Sequence, residues 1–187
     1  MSLHERGLED LRLEGILASL FPEAIRVWRV PGALPRSWVV GGSRVAEGLR
    51  AFEILSGAGF DPARDVLLAE GPARDAASGF VGSSRVARLA PDRVVLEVEA
   101  SAPGFVVLAD AFDPGWRARV DGQPAPIRRA NVAFRAVDVP AGRHVVEMIY
   151  RPRGATRGLM LSGMGLLAML GVALVARARR GRRARGR

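Results

Sequence analysis

An uncharged apolar stretch near the C-terminus limits most strongly what this chain of 187 residues can fold into. Residues 158–176 read GLMLSGMGLLAMLGVALVA, which contains no charge and no proline. A helix of this length would be about 28 Å long, close to the hydrocarbon thickness of a bilayer. A buried core helix of that length usually has a polar face, and this stretch offers only Ser162. We therefore predict a single transmembrane helix over residues 158–176.

The net charge of +9 is concentrated behind this stretch. Residues 177–187 hold seven arginines and no acid, so residues 1–176 carry only 9 − 7 = +2. The positive-inside rule places the side with the denser arginines in the cytoplasm. We expect residues 177–187 to be a basic cytoplasmic tail that contacts lipid headgroups, with no nucleic-acid partner, and the preceding residues to lie outside the cell.

Residues 1–21 form an N-terminal lead-in with scattered charges and no apolar signal-peptide core. Nothing in the chain would therefore carry the polar region across a bacterial inner membrane. We expect further transmembrane segments, in a longer parent or a neighbouring protein, to do so, and the sequence to be a fragment. Within the lead-in, apolar residues from Asp10 to Leu20 recur at helical spacing and predict a short amphipathic helix.

Residues 22–152 are predicted to form an extracytoplasmic region with both helix and strand. Strands are expected at Ala24–Val30, Ser37–Val40 and Asp65–Ala69. A helix is expected from an N-cap at Ser43 to about Ser56. Its apolar face would comprise four residues: Val45, Leu49, Phe52 and Leu55.

From Ser84 onward the apolar residues recur with period two, as in half-buried strands. Asp121-Gly122 predicts a two-residue hairpin turn, and Pro124 and Pro126 predict that the returning strand lies at a sheet edge. Short strands at roughly ten-residue spacing indicate an antiparallel sandwich. We predict a mainly β fold, a jelly-roll-like sandwich with its core at about 84–151, one or two short helices and the C-terminal membrane helix.

The residue types exclude several kinds of chemistry. The chain has no cysteine and only two histidines, so neither a cysteine-based nor a histidine-rich metal site is expected. His144 has no sequence neighbours that suggest a catalytic triad. Asp110 and Asp113 resemble an acidic metal pair, but Asp113-Pro-Gly more simply predicts a turn. We expect no enzyme activity, no catalytic residue, no metal and no cofactor.

Four residues of the predicted sandwich are candidates for facing a ligand. Trp116 offers a ring on which a sugar can stack, although its strand position favours packing in the core. Arg128, Arg129 and Asn131 offer contacts to a glycan or to the phosphate of a lipid-linked sugar, although an exposed polar loop also explains them.

An ordered set of motifs resembles the C-terminal region of the YfhO family, which are polytopic bacterial membrane proteins related to lipid-linked-sugar glycosyltransferases. The set consists of Phe112-Asp-Pro-Gly-Trp-Arg-Ala-Arg-Val-Asp-Gly, Arg129-Ala-Asn, Phe134-Arg-Ala, Val139-Pro-Ala-Gly-Arg-His and Tyr150-Arg-Pro. Upstream, Val27-Trp-Arg-Val, Ala33-Leu-Pro-Arg and Trp38-Val-Val are similar to the family's segment before the sandwich. The resemblance covers residues 22–176 and lacks the N-terminal membrane helices and catalytic acids of that family.

The resemblance implies a non-catalytic, extracytoplasmic sandwich with its membrane anchor, belonging to a protein of cell-envelope glycan assembly. The bilayer, further transmembrane segments and an envelope glycan or lipid-linked sugar would be its partners. The alternative is a self-standing single-span membrane protein whose sandwich binds an envelope glycan or another protein.

Overall fold

The computed structural model of the chain describes residues 11–20, 23–152, 154, 158 and 160–171. Its strands are β1 (Arg12–Leu17), β2 (Ile25–Arg29), β3 (Ser37–Val40), β4 (Gly42–Val45), β5 (Asp65–Leu68), β6 (Gly82–Ala90), β7 (Arg93–Ala100), β8 (Gly104–Leu108), β9 (Trp116–Val120), β10 (Gln123–Ala125), β11 (Ile127–Ala130), β12 (Phe134–Val139) and β13 (Gly142–Tyr150). Helix α1 spans Gly48–Ser56, and residues 160–171, called here the C-terminal helical segment, are also helical.

Two sheets form the body of the molecule. A five-stranded sheet has the order β10-β9-β13-β7-β6, and a six-stranded sheet has the order β3-β8-β12-β11-β5-β4. Their strand pairs are antiparallel except for β4 and β5, which are parallel. The sheets bury alternate residues of β7 (Val94, Leu96 and Val98) together with Val106 and Val137 of the other sheet. The mainly β sandwich is therefore confirmed.

The sandwich is larger than the sequence predicted. Strands β3, β4 and β5 belong to the six-stranded sheet although they precede the predicted core at 84–151. The described residues thus place eleven strands in the two facing sheets, whereas a jelly roll has eight. The far face of the six-stranded sheet is also buried, and the Arg74 guanidinium lies 4.2 Å from the centroid of the Phe105 ring there.

The predicted N-terminal amphipathic helix is wrong, because Arg12–Leu17 forms strand β1, which pairs with β2 as a separate antiparallel hairpin. The register shifts between Leu13 and Gly15. A bulge of this kind adds a residue to one strand and resets its alternation. Leu13 and Ile16 therefore share a face although they are three residues apart, a spacing that the sequence analysis took for helical periodicity.

Helix α1 begins four residues later than predicted, because its N-cap is Glu47. Ser43 is not its N-cap but a buried residue of β4, where its hydroxyl donates a hydrogen bond to the Pro72 carbonyl at 2.8 Å. The helix also turns a different face to the protein, because Ala51 is buried while Leu49 and Phe52 are 82% and 58% exposed. Val45, the first residue of the predicted apolar face, lies in strand β4 rather than in the helix. The predicted apolar face is therefore wrong.

The turn at Asp121-Gly122 is confirmed, since both residues have positive φ, at 51° and 80°. The single edge strand predicted after this turn is in fact two strands, β10 and β11. Strand β10, which contains Pro124, lies at the edge of the five-stranded sheet. After Pro126 the chain crosses to the other sheet, where β11 lies between β12 and β5 and so is not at an edge.

Among the described residues, no helix is both long and apolar enough to cross a membrane. The C-terminal helical segment covers residues 160–171 of the predicted span. Residues 159 and 172–176 of that span lie outside the described residues, as do the predicted tail at 177–187 and the first ten residues of the lead-in. The transmembrane helix stays a prediction.

Candidate functional site

One end of the sandwich brings together charged and aromatic side chains from both sheets. In the six-stranded sheet, Leu108 is the last residue of β8, and it pairs with Ser37 at the start of β3 and with Arg135 near the start of β12. The start of β3, the end of β8 and the start of β12 therefore lie together. In the other sheet β9 begins and β13 ends at the paired residues Trp116 and Tyr150. We call this the anchor end, because the chain continues from Tyr150 towards the C-terminal helical segment.

Arg135 is the centre of this end. It is only 2% exposed, and its guanidinium carbon lies 3.9 Å from the centroid of the Trp116 ring. Its Nη2 donates to Asp110 Oδ2 at 3.0 Å, and Arg36 Nε donates to Asp110 Oδ1, also at 3.0 Å. Burial lowers the pKa of Arg135, while the charge of Asp110 opposes that shift. An arginine remains protonated even so, and this end therefore holds two guanidinium groups on one carboxylate.

The contacts of Arg135 are incomplete. Its Nε and Nη1 atoms are buried and make no hydrogen bond to any part of the chain that the structure describes. A buried unpaired donor costs about 1–3 kcal/mol, so the stacking on Trp116 and the bond to Asp110 have to offset that cost. This arrangement holds the two sheets together, and its chemistry is that of a structural ion pair rather than of a proton-transfer site.

Trp116 packs within the protein, which is one of the two roles that the sequence allowed. It is half-buried and packs against the core cluster between the sheets. One of its neighbours is Tyr150, whose ring centroid is 5.2 Å away. Burial, followed by the charge of Asp113, raises the pKa of the Tyr150 hydroxyl. Because Arg135 already lies over the Trp116 ring, that face of the indole has no room for a sugar ring.

The other three predicted ligand-facing residues each bond to a different partner within the protein. Arg128 Nε donates to Asp138 Oδ2 at 2.8 Å, and Arg129 Nη2 donates to Glu47 Oε1 at 2.7 Å. Asn131 has a positive φ of 46°, and its Oδ1 accepts the backbone N–H of Leu67 at 2.9 Å. Each side chain is thus occupied within the protein, and the four do not form one binding site.

The acidic pair of the sequence analysis is separated as well. Asp113 Oδ1 accepts the Gly115 N–H at 2.7 Å, which is the predicted turn. Asp110 binds the arginines instead. Within the described residues no group of three or more histidines or carboxylates is placed to hold a metal ion.

Near the opposite end of the sandwich, the outer face of the five-stranded sheet contains a site that the sequence analysis missed. His144 Nδ1 and Asp121 Oδ2 are 2.6 Å apart, and Asp121 Oδ1 accepts the Val145 N–H at 2.8 Å. They line a cavity of about 510 Å³, together with Ser83, Ser84, Arg85, Glu97, Glu99 and Arg143. The predicted turn could have indicated this site. A turn at Asp121 places its carboxylate beside strand β13, the neighbour of β9 in the sheet.

The two partners shift each other's protonation. The hydrogen bond to Asp121 raises the pKa of His144, and the same bond lowers the pKa of Asp121. Both ring nitrogens of His144 have partners, because Nε2 lies 3.2 Å from the Ala141 carbonyl oxygen, and the nearby Ser84 hydroxyl donates to the Ser37 hydroxyl at 2.9 Å. The geometry can bind or release a proton at the imidazole, but it does not form a catalytic triad.

Comparison with protein families finds a match in the second half of the chain. Residues 91–162 match the family model of the bacterial membrane protein YfhO. The chain contains a YfhO-family region. This region runs from just before β7 into the C-terminal helical segment, and it includes Trp116, Arg135 and the His144–Asp121 pair. No curated protein and no solved structure matches the chain. Because YfhO is a family of bacterial membrane proteins, the match agrees with the predicted membrane location.

Proposed function

We propose that the chain is a non-catalytic, extracytoplasmic sandwich with its membrane anchor, from the C-terminal end of a YfhO-like protein. The observation that carries this proposal is the extent of the family match, which crosses from the sandwich into the apolar stretch at residues 158–176. The match supports treating strands β7 to β13 and the start of that stretch, residues 158–162, as parts of one family region. The link to lipid-linked-sugar transfer in the cell envelope is part of the proposal.

The absence of a catalytic role is proposed from the way the polar residues are used. In the described part of the chain, the buried charges at the anchor end form ion pairs between arginine and aspartate. The four candidate ligand residues also have partners within the protein or pack in its core. Such a module would support or position the catalytic membrane region of a larger protein.

The orientation is proposed from the arginine tail. With the denser arginines inside, the sandwich lies outside the bacterial inner membrane and the C-terminus is cytoplasmic. Further transmembrane segments, an envelope glycan or a lipid-linked sugar would be its partners.

A second candidate function is a self-standing single-span protein that binds an envelope glycan or a protein. The cavity of about 510 Å³ beside His144 and Asp121 favours it, because that cavity lies on the face of the five-stranded sheet turned away from the core. Its volume is within the range of small-ligand sites.

The experiment uses the absence of cysteine from the chain. Ala141→Cys, at the end of the sandwich away from the anchor, and Ala184→Cys, in the tail, are introduced singly at the chromosomal locus with a C-terminal tag. We expect a membrane-impermeant maleimide to label Ala141→Cys in intact spheroplasts and Ala184→Cys only after permeabilisation.

The reverse labelling pattern would overturn the orientation, and recovery of the tagged protein without membranes would overturn the anchor. The tag also separates the two candidate functions by mass. A self-standing protein would migrate near 20.0 kDa plus the tag, whereas a polytopic parent would be much larger.

A further inference from the structure

The hairpin formed by β1 and β2 exposes apolar side chains on both of its faces. Leu13 and Ile16 lie on one face with Trp28, and Leu17 lies on the other with Ile25 and Val27. The exposed fractions are large: Leu13 48%, Ile16 61%, Leu17 57%, Ile25 54% and Val27 37%. Beyond the strands, Leu20 is fully exposed. An apolar surface of this kind marks an interaction site.

Nothing in the described part of the chain covers this hairpin. The three core clusters begin at Trp38 and include no residue of β1 or β2. The main packing of each strand is against the other strand. A two-stranded sheet alone is at best marginally stable in water. The hairpin therefore requires a surface outside the sandwich to bury its side chains.

The hairpin joins the sandwich at the anchor end. From Arg29 the chain reaches β3 through Arg36, whose ion pair with Asp110 fixes this connection to the anchor end. The chain leaves the sandwich for the C-terminal helical segment at the same end, where the Arg151 N–H donates to the Gly115 carbonyl at 2.8 Å. Both apolar appendages thus emerge from one end of the sandwich.

The C-terminal helical segment has an apolar surface all round. Its exposed residues include neighbours in sequence, which point in different directions on a helix: Met160, Leu161, Met164, Leu166, Leu167, Met169 and Leu170 are all 52–69% exposed. A helix that is apolar all round suits a lipid environment rather than one face of a soluble core.

We propose that the β1–β2 hairpin lies in the interface of the lipid bilayer, beside the membrane anchor. This inference rests on the proposed anchoring of residues 158–176. A protein partner on one face would leave the other apolar face in water, whereas the boundary between headgroups and acyl chains surrounds both faces. Trp28 is of the residue type enriched at membrane interfaces, and the stem of Arg26 can lie along apolar surface with its guanidinium group at a lipid phosphate.

The test uses the full chain reconstituted into vesicles of phosphatidylethanolamine and phosphatidylglycerol. Single cysteines carrying a nitroxide replace Ile16 in the hairpin, Met164 in the helical segment and Ala141 at the opposite end. Collision of each nitroxide with oxygen, which concentrates in lipid, is compared with collision with a water-soluble nickel chelate. We expect Ile16→Cys to favour oxygen, at a depth shallower than Met164→Cys, and Ala141→Cys to favour the nickel chelate.

The three positions separate the possible failures. If Met164→Cys favours oxygen but Ile16→Cys matches Ala141→Cys, the hairpin inference is wrong and the anchor stands. If Met164→Cys is in water, the proposed anchor fails, and Ile16→Cys alone then decides whether the hairpin binds lipid. A nitroxide at Ile16 that is shielded from both reagents would mean that protein covers the hairpin, which would also overturn the inference.

Discussion

The β1–β2 hairpin and the sandwich are made of similar strands in opposite surroundings. In the hairpin, Leu17 is 57% exposed, whereas Leu96 in β7 is fully buried between the two sheets. Both residues lie in short antiparallel strands that contain branched apolar side chains and arginine. The alternation of residues along a strand fixes which side chains share a face, but a second layer has to be present before that face is buried. The sandwich supplies its own second layer, and the hairpin does not.

The largest effect expected from this difference is on the stability of matched leucine variants. Leu96→Ala should lower the free energy of unfolding by about 3–5 kcal/mol, because it removes buried methyl groups and leaves a cavity. Leu17→Ala should change it by no more than about 0.5 kcal/mol, as for other exposed positions. Urea unfolding of the full chain in mild detergent measures both. Equal costs would show that the hairpin is covered by the protein itself, and the comparison would then fail.

The sequence predicted the sandwich strands well, for a physical reason. In β7, β9 and β13 the apolar period of two coincides with the pairing in the sheet, and the turn at Asp121-Gly122 requires the positive φ angles that both residues adopt. The sequence failed where a local irregularity changes the period. The bulge at Leu13 to Gly15 gave β1 a helical spacing, and Ser43 was taken for a helix cap although its hydroxyl bonds a distant carbonyl.

The anchor end could not be predicted from the sequence because its contacts join distant segments. Arg135 lies in an apolar strand, where a charged residue is expected to point to solvent. Its burial depends on Asp110 and on the Trp116 ring of the facing sheet. Asn131 likewise appeared to be a loop residue, and its structural role requires the Leu67 backbone, 64 positions away. Side chains singled out by type were therefore not the ones that the fold brings together.

The second effect concerns the ion pairs that hold the anchor end together. Asp110→Ala removes the carboxylate from Arg135, which is 2% exposed, and should lower the free energy of unfolding by about 3 kcal/mol. Much of that cost arises from leaving a buried guanidinium unpaired. Asp110→Ala combined with Arg135→Met should therefore recover part of the lost stability. The same urea unfolding measurement compares the single and double variants.

The hairpin contains an ion pair that can be compared with the one between Arg135 and Asp110. Glu14 Oε1 accepts a hydrogen bond from Arg29 Nε at 2.6 Å, but the side chains are 43% and 66% exposed. Glu14→Ala should therefore cost at most about 1 kcal/mol. A cost at Asp110 as small as that at Glu14 would show that water reaches Arg135 and that the anchor end is open.

The smallest expected effect is at the opposite end, where the His144–Asp121 pair makes stability depend on pH. The pKa of His144 is raised in the folded protein, so its contribution is fully present below the unfolded value of about 6.5 and is lost as the pH rises through the folded value. The pKa of Asp121 is lowered, so its contribution is lost only as the pH falls through a value below about 3.9. The pair therefore stabilises most between these limits.

Thermal unfolding of the parent chain and of His144→Gln, at a series of pH values from about 5 to 9, measures this dependence across the folded pKa of His144. The unfolding midpoint of the parent should exceed that of His144→Gln by a few degrees at most at the acidic end, because the Asp121 side chain is 51% exposed and solvent screens the pair. The difference should shrink as the imidazole loses its proton. Asp121→Asn is the matched control, since it keeps the turn and removes the charge, and it should abolish most of the pH dependence. A difference that stays constant over the whole series would show that folding does not raise the pKa of His144 and that the pair makes no pH-dependent contribution to stability.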